Sequence, residues 1–155
     1  MQERPWLATY REFDIPAEIA PETHASVTAM MEAAMARHAA RPAFRSLGQT
    51  LTYGELDRLS RNFAAWLQAE GVKPGDRVAV MTPNILAFPV VLLGILRAGA
   101  VQVNVNPLYT PRELAHQLAD AGAQTLVIFN GATPTFAEVA GAPPGARLVP
   151  AGPRP

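Results

Sequence analysis

The sequence predicts an open α/β fold on a mainly parallel sheet, and three observations predict it. Short, mostly apolar runs recur at Val78–Met81, Ala100–Val105 and Leu126–Phe129. Stretches with apolar residues at helical spacing flank and separate them. Two of these stretches open on a Thr followed three residues later by a Glu, the capping-box signature of a helix start. Strands that read as continuous apolar runs are buried on both faces, and helices between them make the crossovers of a parallel sheet. Three strands are few for an open sheet, so the sheet is read as incomplete, with its edges unprotected.

Each element follows in turn. Residues 1–25 form an N-terminal extension, rich in Pro and charge, with isolated aromatics at Trp6, Tyr10 and Phe13. A first helix is expected over residues 26–40, with Val27, Met30, Met31, Ala34, Met35 and His38 as its buried stripe and Arg41-Pro42 as its stop. Residues 43–47 and 50–52 read as a short hairpin around Gly48-Gln49. Thr52 and Glu55 then cap a second helix, stapled by Leu51 against Leu56. Leu56, Leu59, Phe63, Trp66 and Leu67 are its expected inner face, and Gly71 closes it. After the first strand, Asn84 is the expected cap of a helix running to Ala98, which Pro89 should kink or rob of one backbone bond. Thr110-Pro111-Arg112-Glu113 opens the last helix, with Leu114, Leu118 and Ala121 facing inward. Residues 26–140 therefore form the α/β unit. Residues 141–155, with five Pro and three Gly, read as a linker or frayed end, within which a strand around Arg147–Val149 is the one candidate element.

Composition narrows the function. Lys+Arg and Asp+Glu both number 13, so there is no basic footprint for nucleic acid. A net charge of zero favours association with something else. Cysteine is absent, which removes disulfides, thiolate metal sites and a cysteine nucleophile, and suits a cytoplasmic protein. The first residues lack the apolar core of a signal peptide. The most apolar stretch, Ile85–Leu96, is about half of what crosses a bilayer and reads as a buried helix.

The residues that could carry chemistry mostly have structural readings. No glycine-rich phosphate motif follows the first strand, where Thr82-Pro83-Asn84-Ile85 stands, and no phosphate-loop lysine occurs. His24, His38 and His116 have no metal-ligand spacing, so no metal site is expected. His116 and Asp120 read as a surface pair. Ser26, Ser46 and Ser60 lack a nucleophile-elbow context, and Glu55 and Glu113 are accounted for by capping. No catalytic residue is assigned. One segment stands apart, Asn106, Pro107, Leu108 and Tyr109, at the carboxyl end of the second strand, where open α/β sheets place ligands. Two large apolar residues in this loop either pack against another domain or line a ligand channel.

Three strings carry a family resemblance: Arg77–Asn84 (RVAVMTPN), Gly94–Ala100 (GILRAGA) and Asn104–Leu114 (NVNPLYTPREL), with Leu51–Leu56 (LTYGEL) beside them. They resemble the N-terminal region of adenylate-forming, AMP-binding acyl–CoA ligases. The third string, with Trp6-Leu7, Tyr10 and Ile15–Ile19, is similar to bacterial long-chain fatty acid–CoA ligases. The likeness covers roughly residues 5–130.

This resemblance implies the N-terminal subdomain of an adenylate-forming enzyme. It implies a parent that joins a fatty acid to coenzyme A through an acyl-adenylate, using ATP and Mg2+ and releasing AMP and pyrophosphate. The phosphate loop, nucleotide motifs and C-terminal lysine of that family lie beyond the matched region. The 155-residue chain is therefore expected to be inactive alone, with no cofactor of its own. The resemblance also places Asn106–Tyr109 near the coenzyme A channel. The expected partners are the remainder of the parent ligase and a second copy of the chain, with no nucleic acid and at most peripheral contact with the inner face of the membrane. The alternatives are a non-catalytic interaction module, a piece of a related ligase with another carboxylic acid substrate, and an independent small α/β binding protein.

Overall fold

The computed structural model describes residues 4–18, 24–139 and 147–151. Helix α1 (Trp6–Glu12) precedes α2 (Val27–Arg37), the hairpin β1 (Pro42–Ser46) and β2 (Gln49–Thr52), and α3 (Tyr53–Ala69). Then β3 (Arg77–Met81), α4 (Ala87–Arg97), β4 (Val101–Asn104), α5 (Pro111–Ala121) and β5 (Thr125–Phe129) follow. A 3-10 turn at Asn130–Ala132, α6 (Thr133–Ala137) and β6 (Arg147–Ala151) complete the described order. The parallel sheet has four strands in the order β4-β3-β5-β6, and β1 and β2 pair separately as an antiparallel hairpin.

The apolar runs of β3 and β5 are unbroken because both sheet faces are covered. Val78, Val80 and Val127 pack on one face with Leu67 of α3 and Val91 and Ile95 of α4. Ala79, Met81, Leu126 and Ile128 pack on the other with Leu114 and Leu118 of α5. Neighbouring residues of β3 and β5 thus serve opposite layers, which leaves little room there for polar side chains beyond Thr125, whereas β4 at the sheet edge carries Gln102 and Asn104.

Several expectations change. Within 141–155 the candidate strand at Arg147–Val149 is present and runs on to Ala151 as β6, which pairs in parallel with all of β5 and buries Ala151, so that part of the stretch is a sheet strand and not a linker. Residues 140–146 and 152–155, the rest of that stretch, lie outside the described residues, as do 1–3 and 19–23 of the extension. The extension itself holds a helix, α1, none of whose side chains is buried. In α2 only Met35 is buried, while Val27 and Met30 are 58% and 42% exposed. The inward line instead passes through Thr28, Met31, Met35 and His38, and Glu32 on the same side meets Arg61 and Arg97. Periodicity gave the helix but missed its rotation. In α3, Trp66 leaves the inner face and stacks on Phe63 with ring centroids 5.8 Å apart, and Ser60 and Ala64 occupy the buried positions beside Leu56 and Leu67.

Asn84 does not cap α4, which begins three residues later with Leu86 at the cap position and no capping side chain. Pro89 is consequently the third residue of that helix. Amide hydrogens there have no intrahelical partner, so the ring removes no bond. The hairpin turns on Leu47-Gly48 rather than Gly48-Gln49, both with positive φ (49° and 75°), the geometry of a two-residue primed turn.

Candidate functional site

The topology singles out one end of the sheet. From β3 the chain crosses through α4 to β4 on one side, and from β5 it passes through α6 to β6 on the other. Neighbouring strands β3 and β5 thus send their connections in opposite directions. In open α/β sheets the crevice at the carboxyl ends of such a pair is where ligands sit. Three segments border this end: Thr82–Leu86 after β3, Val105–Thr110 after β4, and the 3-10 turn after β5.

The loop after β4 is built residue by residue. The Val105 amide donates to the Val80 carbonyl at 2.9 Å and the Val105 side chain is buried, which anchors the loop to the central strand. Asn106 Oδ1 then accepts from the Leu108 amide at 3.0 Å, and the Asn106 carbonyl accepts from the Tyr109 amide at 3.1 Å. This is the Asx-type turn for which asparagine is suited. The two large apolar residues part company. Tyr109 packs against the cluster of Met81, Leu114 and Ile128, whereas Leu108 is 87% exposed. Tyr109 therefore has a packing role, Pro107 is half-buried, and Leu108 remains an apolar side chain displayed at the ligand-bearing edge.

Below the loop, Gln117 Nε2 donates to the Asn104 carbonyl at 2.9 Å, tying α5 to the end of β4. At the central strand, Thr82 is 7% exposed, and its buried Oγ1 has no hydrogen-bond partner among the described residues. Sequence reasoning passed Thr82 over because it looked there only for a glycine-rich turn. Its place directly after the middle strand was the signal available.

The remaining candidates take structural places. Ser26 Oγ accepts from the Ala29 amide at 3.0 Å as the cap of α2, and Ser46 Oγ donates to the Asn84 carbonyl at 3.3 Å. His24 and His116 are exposed, as is Asp120, while the His38 ring lies 6.1 Å from that of Tyr53. Among the described residues, no three His, Asp or Glu side chains gather as a metal site. The Glu55 and Glu113 carboxyls are held below the usual carboxylate range by the backbone N–H and then the hydroxyl of Thr52 and Thr110 respectively.

A polar node that periodicity did not reveal lies where α2, α3 and α4 meet. The Arg97 side chain, 7% exposed, donates to Ser60 Oγ at 2.7 Å and to the Asp57 carbonyl at 2.8 Å, and pairs with the carboxylates of Asp57 and Glu32. Burial pushes the Asp57 carboxyl up, but hydrogen bonds from Arg61 and Arg97 outweigh it and hold the group below its ordinary value. Every charge in this node is matched, so it serves as a fastener.

As a whole, the carboxyl edge offers an apolar side chain, turn amides and a buried hydroxyl. Such groups line or bind. Nucleophilic or acid–base chemistry would need a paired titratable group, which the edge does not contain among the described residues.

The family described as "AMP-binding enzyme" matches residues 31–153. A long-chain-fatty-acid–CoA ligase of Escherichia coli O6:H1 is 51% identical over 135 residues, covering 86% of this chain and 24% of the relative. Its counterpart from Yersinia pestis is 49% identical over 138 residues, covering 88% of this chain and 24% of the relative. Among solved structures, a benzoate CoA ligase from Burkholderia xenovorans LB400 superposes with a TM-score of 0.77 at 28% identity, covering 81% of this chain and 26% of that one. The chain thus spans about a quarter of the length of the curated relatives it matches.

Proposed function

The chain belongs to the AMP-binding enzyme family, and on that premise we propose that it is the N-terminal portion of an ATP-dependent long-chain fatty acid–CoA ligase. The observation that carries this reading is the 51% identity, spread over 86% of the chain, to a ligase of that printed activity. In the proposed reaction the fatty acid carboxylate displaces pyrophosphate from ATP to give an acyl-adenylate. The coenzyme A thiol then displaces AMP and forms the thioester.

This chain's own residues do not fit ATP or Mg2+. They include no glycine-rich phosphate loop, and no cluster of acidic or imidazole ligands among the described residues. No step of the reaction is therefore assigned to them. What they fit is a supporting role: a rigid sheet that holds the Asn106–Tyr109 loop at its carboxyl edge. Leu108, held out by the Asn106 turn, contacts coenzyme A or the remainder of the ligase there.

Two measurements test this. In a full-length ligase carrying this segment, Leu108→Asp should raise the KM for coenzyme A while leaving fatty-acid-dependent ATP–pyrophosphate exchange intact. Equal loss in both would remove the coenzyme A assignment. Exchange activity from the 155-residue chain alone would overturn the supporting role.

A second reading, a non-catalytic module that pairs with another copy, is favoured by the N-terminal segment. There Trp6, Phe13 and Ile15 are 53%, 67% and 48% exposed around a helix with nothing buried. Sedimentation of the isolated chain tests it: a monomer at high concentration sinks the idea, whereas a dimer abolished by Phe13→Glu supports it. A third reading keeps the family and changes the acid, supported by the likeness to the benzoate ligase; substrate profiling of the full-length protein decides. Among the described residues no helix is long and apolar enough to cross a membrane. A cytoplasmic parent with at most peripheral membrane contact is a separate proposal, which fractionation of cells expressing the full-length protein tests.

A further inference from the structure

The turn of the β1–β2 hairpin goes against two local rules at once. Leu47 holds φ 49°, a left-handed conformation that bulky L residues rarely adopt. It is also 86% exposed, at the far end of the hairpin beyond the last pair, Ser46 with Gln49. A single exposed apolar residue is ordinary. One kept at a turn position that Asn or Gly would fill with less strain is not.

The charges around this tip are of one sign. From residue 33 to residue 54 the chain carries Arg37, His38, Arg41 and Arg45 and no Asp or Glu, although its net charge is zero. The three arginines are exposed, and none makes an ion pair with a described residue. The acids that flank the stretch are already engaged, Glu32 by Arg61 and Arg97 and Glu55 by Thr52. Arg37 ends α2, and Arg41 stands at the foot of the hairpin, where its carbonyl accepts from the Tyr53 amide at 3.0 Å. Arg45 lies four residues further on, roughly 13 Å along the strand, so unmatched positive charge runs from base to tip.

We propose that this hairpin docks the protein on an anionic lipid surface, with Leu47 entering the boundary between headgroups and acyl chains and Arg37, Arg41 and Arg45 contacting lipid phosphates. An exposed apolar tip supplies burial in that layer, and unmatched cations supply attraction to it. A protein partner would need a pocket shaped to one leucine, whereas a bilayer interface takes it without one. The proposal rests on the peripheral-contact reading above and deepens it by naming the surface. It uses neither the ligase's substrate nor the Asn106–Tyr109 loop.

The test is flotation of the full-length protein carrying this segment with vesicles of phosphatidylglycerol and phosphatidylcholine, against phosphatidylcholine alone. Binding to the anionic vesicles is expected, weakening as salt rises. Leu47→Asn should weaken it about tenfold, the scale of burying one leucine side chain. The same substitution relieves the turn, so urea midpoints should show a fold no weaker than wild type. Arg45→Gln should weaken binding about fivefold, and Arg112→Gln on α5 should leave it unchanged. Equal binding by Leu47→Asn and wild type would overturn the hairpin assignment and leave peripheral contact standing through another surface. Equal binding to phosphatidylcholine alone would overturn the role of the arginines. Binding to neither vesicle would remove the hairpin assignment and the peripheral-contact reading together, and the ligase reading, tested by thioester formation, would be untouched.

Discussion

Helices α4 and α5 have the same length, 11 residues, and cover opposite faces of the same sheet, yet their ends are fixed by different means. Helix α5 carries its own instructions. Thr110 and Glu113 bond reciprocally, Pro111 stands at the first position, and Gly122 ends it in the left-handed conformation at φ 63°. Helix α4 has no capping side chain, and the Asn that could have started it lies outside. What holds α4 is contact with α3. A Cβ on Gly94 would lie 2.6 Å from Phe63 Cδ1 and 3.0 Å from the Ser60 carbonyl oxygen, and Arg97 reaches into the α3 node. One helix is delimited by its neighbours in sequence, the other by its neighbours in space.

Mutations should separate these two modes. The largest effect is expected for Arg97→Ala. It removes a buried guanidinium and leaves Ser60 and Asp57 short of their partner, at a cost of roughly 2–4 kcal/mol in the urea-unfolding free energy. An unchanged midpoint would mean that α4 is not held from α3. Gly94→Ala comes next. Overpacking costs about 1–3 kcal/mol, and the better helix propensity of Ala returns up to ~1 kcal/mol, so a net loss is expected. A gain in stability would show that the α3–α4 contact yields easily.

On the other helix, Thr110→Ala should cost about 1 kcal/mol, the worth of a cap. Hydrogen exchange should show the loss as fraying of the first turn of α5. The same cap has a pH signature. Glu113 has its carboxyl lowered in the fold, so its contribution is complete above the ordinary glutamate value and disappears as pH falls through the lower folded value. The stability gap between wild type and Glu113→Gln should therefore close in acid; a gap that widens there would contradict the cap.

The smallest effect concerns a local rule the chain breaks. Leu47 holds φ 49° at a turn position that favours Asn or Gly, and is 86% exposed. Leu47→Asn should stabilise the hairpin by about 0.5–1 kcal/mol.

The same division explains what the sequence disclosed. Capping boxes, the Gly71 stop and the apolar strand runs are short-range signals, and the structure keeps them within a residue or two. The rotation of α2, the exposure of Trp66, the start of α4 and the Arg97 node depend on which helix lies alongside, and no window of sequence contains that. The strand at Arg147–Ala151 was obscured by its Pro and Gly surroundings, because Pro150 contradicts a strand unless the pairing, here with β5 alone among the described strands, lets its missing amide face outward. At the candidate site, the Asn106–Tyr109 loop was legible as an oddity because two large apolar residues exceed what a turn needs. That Tyr109 is absorbed by the core while Leu108 is not became visible only with the packing of α5.

The strand order has a consequence for how the chain is made. β3 is central, but its partner β5 comes much later: Val78 pairs with Thr125, a separation of 125 − 78 = 47 residues. At a synthesis rate of roughly 5–20 residues per second, one edge of β3 waits about 2–10 seconds on the ribosome before its partner emerges. During that time Val78–Met81, the most apolar strand edge then available, is open to whatever binds nascent chains. A chaperone footprint over β3 that ends when β5 clears the exit tunnel would be the trace of that wait.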